Sequence, residues 1–109
     1  MNLNIKTLGS FEKDVKRLFK RYKQLPNDLK VLKEELSNNP KCGIELGNRC
    51  YKIRVANSSI PTGKSGGFRV IYYYIDLDDN LYLMSIYSKS ELENIDDNII
   101  LNILKENGL

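Results

Sequence analysis

Gly63-Lys64-Ser65-Gly66-Gly67-Phe68-Arg69-Val70-Ile71-Tyr72-Tyr73 joins a lysine-bearing glycine turn to a strand that opens with an arginine. The run Phe68 to Ile75 is rich in aromatic and β-branched residues, so it is predicted to be a buried strand. Upstream, Tyr51-Lys52-Ile53-Arg54-Val55 sets two cations on alternate residues. Side chains alternate across a strand, so Lys52 and Arg54 share a face. Four cations on neighbouring strands and a turn repel one another unless an anionic partner meets them, and a phosphate backbone is the obvious one.

Working outward, Leu81 to Ser88 is a second apolar run, and Asp78-Asp79-Asn80 is a tight turn that makes the two runs a hairpin. Continuous apolarity in both predicts a central position covered on two faces. Cys50 to Ala56 reads as a strand and Asn57 to Gly67 as a polar loop. Residues 40–49, with Pro40, Gly43 and Gly47, read as a loop too. Residues 2–8 alternate and predict a short half-buried strand. Ser10 is the predicted cap of a helix in which Phe11, Val15, Leu18, Phe19 and Tyr22 recur at helical spacing. Lys13, Lys16, Arg17, Lys20, Arg21 and Lys23 fill its other side. Pro26 ends or restarts that helix, and Asn27 or Asp28 begins the next, with Leu29, Leu32 and Leu36 as its stripe. Asp96 or Asp97 caps a last helix packed by Ile99, Ile100, Ile103 and Leu104. The order is βααβββα: an α+β domain over residues 1–109, with a small, mostly antiparallel sheet, an N-terminal helical hairpin and a C-terminal helix.

Composition narrows the chemistry. The chain has 109 residues, 41% hydrophobic and 28% charged, enough for one core. No apolar run reaches a membrane span and no signal peptide opens the chain, so a cytoplasmic protein that does not meet a membrane is expected. Two cysteines, Cys42 and Cys50, read as reduced thiols. Without histidine there are no histidine-based triads, histidine nucleases or histidine metal sites. No cofactor and no metal are expected. Gly63-Lys64-Ser65 mimics the end of a P-loop, but Ser58 stands where the first glycine is required, and a strand follows where a helix should. The net charge of +3 is asymmetric: residues 1–70 hold 15 Lys/Arg against 6 Asp/Glu, and residues 71–109 hold 2 against 8. That segregation points to a basic functional surface, although the helix cations also fit a solvated face.

The residues left for chemistry are Lys52, Arg54, Lys64, Arg69, Tyr87 and Lys89. A lysine among cations loses its proton more readily and can serve as a general base. Arginines can hold the charge that grows on a phosphorus centre. RNA brings its own nucleophile, the 2′-OH. From the pattern alone, Lys52, Lys64 and Lys89 also fit solvated edge charges.

These segments together resemble the RelE/HigB branch of the RelE/ParE superfamily of type II toxin–antitoxin toxins. The matching parts are the basic helical hairpin, Tyr51 to Ala56, Gly63 to Tyr73, and Ile86-Tyr87-Ser88-Lys89-Ser90-Glu91 before an acidic, apolar C-terminal helix. The glycine turn feeding an arginine strand looks most like the HigB branch. The resemblance implies a RelE-like microbial-RNase fold and a metal-independent endoribonuclease, an mRNA interferase that inhibits translation. It implies catalytic roles for Lys52, Arg54, Lys64, Arg69 and Tyr87, with Lys52 or Lys64 as base and Tyr87 stacking on a base or orienting the sugar. Lys89, Lys16, Arg17 and Lys20 are the expected RNA contacts. The implied partners are a cognate antitoxin, mRNA in the ribosomal A site and the 70S ribosome, with operator DNA met only through the antitoxin complex. A ParE-like gyrase inhibitor or a basic nucleic-acid-binding module without chemistry is the alternative. Ser90 stands where some RelE-type enzymes carry arginine, and Asn94-Ile95-Asp96-Asp97 where some carry a catalytic tyrosine.

Overall fold

The computed structural model of the chain describes residues 3–61 and 66–109. Along the chain these form β1 (Asn4–Thr7), α1 (Gly9–Phe19), α2 (Leu25–Asn38), β2 (Ile44–Gly47), β3 (Cys50–Val55), β4 (Phe68–Ile75), β5 (Asn80–Ser88) and α3 (Asp97–Glu106). The strands make one sheet in the order β1-β5-β4-β3-β2. Among the described residues only β1 runs parallel to its neighbour, and the other pairings are antiparallel. No described helix is long and apolar enough to cross a membrane.

The sheet is covered on both faces, which is why β4 and β5 read as continuous apolar runs. On one face α1 and α2 pack Phe11, Leu18, Leu25, Leu32 and Leu36 onto Ile53, Phe68, Val70, Tyr72 and Ile86. On the other, Ile100, Ile103 and Leu104 of α3 pack onto Cys50, Ile71, Tyr73, Met84 and Tyr87. Ile99 was expected among the packing residues of α3, but it is exposed because that position turns to solvent. Asp96 caps α3 as expected, its carboxylate accepting from Asn98 N at 2.8 Å.

The expected loop at 40–49 contains the edge strand β2. It pairs with β3 across the two-residue turn Asn48-Arg49, both at positive φ, as the central residues of an I′ hairpin turn are. Every residue of β2 is exposed, so its short alternation Ile44-Glu45-Leu46 marks no buried face. The element order is therefore βααββββα.

The α1 cap also differs. Leu8 holds the N-cap position without a side-chain bond, and Ser10 lies inside the helix. The reason is an irregularity in β5. Ile71 pairs with Ser85 but Tyr72 with Leu83, so Met84 is the extra residue of a bulge. Bulges leave polar groups unpaired, and α1 supplies them: Ser10 Oγ donates to Met84 O at 2.6 Å. Asp14 accepts from Ser85 Oγ at 2.9 Å and from Ile86 N at 3.1 Å. Asp14→Ala strands both donors, and hydrogen bonds to a charged group contribute roughly 1.5–3 kcal/mol. Its urea unfolding free energy is expected to fall by about 2 kcal/mol, with the denaturant slope unchanged.

At the start of α2, Gln24 is the N-cap and Pro26 occupies the first turn, where its missing N–H costs nothing. Asp28 does not begin the helix. It is buried, and its carboxylate accepts from Ser58 N at 3.1 Å, tying the loop after β3 to the hairpin.

Candidate nucleic-acid interface and active site

Register assembles the site. Arg54 pairs with Arg69 and Arg69 pairs with Tyr87, so the three residues form one row across β3, β4 and β5. Lys52 pairs with Ile71 in the next row on the same face. Ile71 and Tyr87 pack with α3, so this is the α3 side of the sheet. Two strand cations that are alternate in sequence thus meet a third from the next strand.

Depth within the row is graded. Arg54 is exposed, Lys52 is half-buried, and Arg69 is only 4% exposed. Burial and then the Arg54 charge pull the Arg69 guanidinium below its ordinary pKa, with Tyr87 acting weakly the other way. One of its donors goes to Phe68 O at 3.2 Å. The site therefore holds a desolvated cation beneath an exposed one, an arrangement that attracts an anion.

Tyr87 is buried, and its ring packs among Leu8, Met84 and α3 rather than presenting a face to a nucleobase. Burial raises the pKa of its hydroxyl, while the Ile95 main chain and Arg69 pull it down. The oxygen meets no partner in hydrogen-bond geometry among the described residues. Of the two expected roles, stacking on a base or orienting the sugar, the buried ring leaves Tyr87 the second, through its hydroxyl beside Arg69.

Lys64 lies outside the described residues. Lys89 follows β5 with its side chain exposed, and its main-chain N–H donates to Gly67 O at 3.0 Å. Lys16 and Arg17 are exposed on α1 and Lys20 is exposed at its C-cap, and α1 packs on the opposite face of the sheet. Arg17 is engaged: it pairs with Glu91 at 2.5 Å and Asp14 at 3.5 Å. Partial burial pulls its pKa down, but the two carboxylates outweigh that and raise it.

One contact has no precursor in the sequence pattern. Lys52 Nζ donates to Asn94 Oδ1 at 3.2 Å, so the segment after β5 reaches over the sheet to the site. Asn94 lies in a stretch without periodicity, and only its polarity marked it. At the sheet edge, Lys52 and Arg54 line a cleft with Glu35, Cys42, Gly43 and Ile44. Among the described residues, no group of three or more Cys, Asp and Glu is placed to hold a metal ion.

The architecture and the cation row together describe a small α+β protein with a basic, partly sunken sheet face. The fold is that of the RelE toxins. A free-state variant of the Escherichia coli toxin RelE, with two arginines replaced by alanine, matches with TM-score 0.60 and 19% identity, over 97% of this chain and 98% of that one. The isolated E. coli RelE toxin matches with TM-score 0.55 and 20% identity, over 80% and 84% of the two chains. A metal-bound toxin from Helicobacter pylori matches with TM-score 0.50 and 21% identity, over 84% and 99%. No family model matches the sequence.

Proposed function

We propose that this chain is the toxin of a type II toxin–antitoxin pair, acting as an endoribonuclease on mRNA in the ribosomal A site. The observation that carries the reading is the Arg54–Arg69–Tyr87 row with Lys52 beside it, on a fold shared with RelE. In this reading Arg54 meets the scissile phosphate, and Arg69 adds its charge from beneath in a low-dielectric setting. A lysine, Lys52 or Lys64, takes the proton from the 2′-OH. The O2′–P bond forms as the P–O5′ bond breaks, and O5′ takes up a proton from water. The products are a 2′,3′-cyclic phosphate and a 5′-OH end. Lys89, Lys16 and Lys20 supply phosphate contacts, whereas Arg17 serves the fold through Glu91. With no aromatic residue after Tyr87 in the sequence, a HigB-like division of labour fits better than a RelE-like one. A cognate antitoxin with an acidic binding segment would neutralise the basic face, and cytoplasmic action beside ribosomes follows from the substrate.

The test is brief induction of the chain alone, with growth and RNA ends followed beside Arg54→Ala. Growth arrest with new 5′-OH ends inside coding regions, lost in the variant, is the expected result. Arrest with intact mRNA would overturn the ribonuclease reading in favour of a gyrase-directed or other non-cleaving toxin.

A further inference from the structure

Resting on the ribonuclease reading, we propose that Asn94 is a positioning residue that holds Lys52 with its nitrogen lone pair aimed at the 2′-OH. The Lys52 Nζ–Asn94 Oδ1 distance is 3.2 Å. Asn94 is held from both sides. On its N-terminal side, Glu91 accepts from Ser88 N at 3.1 Å and pairs with Arg17 at 2.5 Å, anchoring the segment to α1. On its C-terminal side, Asp96 is locked as the cap of α3. An acceptor fixed at both ends can orient a flexible four-carbon side chain, which otherwise samples many rotamers.

The chemistry of the acceptor matters as much as its place. An amide oxygen is neutral, so it accepts from lysine in either protonation state. The neutral amine keeps two N–H donors and a lone pair, and giving one N–H to Asn94 fixes where the lone pair points. A carboxylate at the same place would favour the ammonium and keep the proton on. The charged groups around Lys52 are Arg54 on its own strand, Arg69 on β4 and Glu35 of α2 across the edge cleft. From β2 it meets Ile44, and Glu93 and Asp96 flank Asn94 in the chain.

The experiment measures kcat and KM against pH on programmed ribosomes for the full chain, Asn94→Ala and Asn94→Asp, alone and in a Lys52→Arg background. Asn94→Ala is expected to lower kcat roughly tenfold, the loss of one hydrogen bond to a charged group, with KM near wild type. Asn94→Asp is expected to move the rising limb of kcat to higher pH. Neither change should act further once Lys52 is arginine. Wild-type kcat and an unmoved limb in both variants would overturn the assignment. The NMR shift of the Lys52 carbon bonded to Nζ, titrated in the free protein, gives a readout without RNA. Asn94→Asp should raise its midpoint, and an unmoved midpoint overturns the contact. A wild-type chain that cuts no RNA overturns the ribonuclease reading instead.

Discussion

Replacing Arg69 by methionine is expected to lower the proposed RNA cleavage about 100-fold or more while raising the unfolding midpoint of the protein. The two effects have one origin. Arg69 is buried in a central strand, and its register partner on β3 is another arginine. Its lowered pKa reports that the folded protein disfavours this charge, first through lost hydration and then through Arg54. Methionine keeps the apolar stem and much of the volume, removes the desolvated charge and leaves Arg54 without a like-charged neighbour. The lost donor to Phe68 O and the other interactions of the guanidinium offset part of the gain. A net stabilisation of about 1 kcal/mol corresponds to roughly 4–8 °C in the midpoint of a chain this size. Removing one group that stabilises developing charge typically lowers kcat about 100-fold or more. Arg54→Met is the internal control: that side chain is already exposed, so its loss should lower activity without a comparable rise in stability. Calorimetry and a cleavage assay on the three proteins decide the matter. An Arg69→Met protein that is both active and less stable would show that this arginine is structural.

This combination of cost and use explains which parts of the chain could be read from sequence. The strand Phe68–Ile75 was legible to the residue because burial on both faces writes itself as unbroken apolarity, and the hairpin with β5 followed from the acidic turn. The shared face of Lys52 and Arg54 was legible from the two-residue period, and the structure places Arg69 across from Arg54 in the same row. Depth was not legible. Whether Tyr87 presents its ring to a ligand or to α3 depends on where a helix that begins only at Asp97 comes to rest. Strand β2 is hard to read because its four residues bury no face, and Pro40, Gly43 and Gly47 of the surrounding segment speak for a loop. A local rule makes Ser10 a helix cap. A bulge in β5, 74 residues away, claimed its hydroxyl instead. Asn94 is the extreme case: its role depends entirely on a partner 42 residues earlier in the chain. Local period and composition thus located the cations, whereas the neutral groups that orient them were set by long-range packing.

The glycine pair that precedes β4 leads to the second large effect: Gly67→Ala is expected to destabilise the fold by about 3 kcal/mol, lowering the unfolding midpoint by more than about 10 °C. Gly67 is buried where the chain leaving β3 passes the chain entering β4. A methyl group there would overlap the Val55 carbonyl oxygen, sit 3.0 Å from Asn57 N and lie 3.2 Å from Ala56 Cα. All three are main-chain atoms, so no rotamer change relieves the crowding and the strands must separate. Movement is resisted on the other side as well, because Gly67 O accepts from Lys89 N at the end of β5. The strain therefore falls on the junction that sets Val55 opposite Phe68 and Arg54 opposite Arg69. Activity should be lost even at temperatures where the variant remains folded, since the cation row depends on that register. Gly9→Ala provides the contrast. Nothing lies within 4 Å of a methyl group there, and the position is the first residue of α1. Alanine loses less backbone entropy on folding, so that variant should be neutral or slightly more stable. Equal midpoints for Gly67→Ala and wild type would mean that the β3–β4 junction yields without cost, and the rigid row of Arg54 and Arg69 would then need another support.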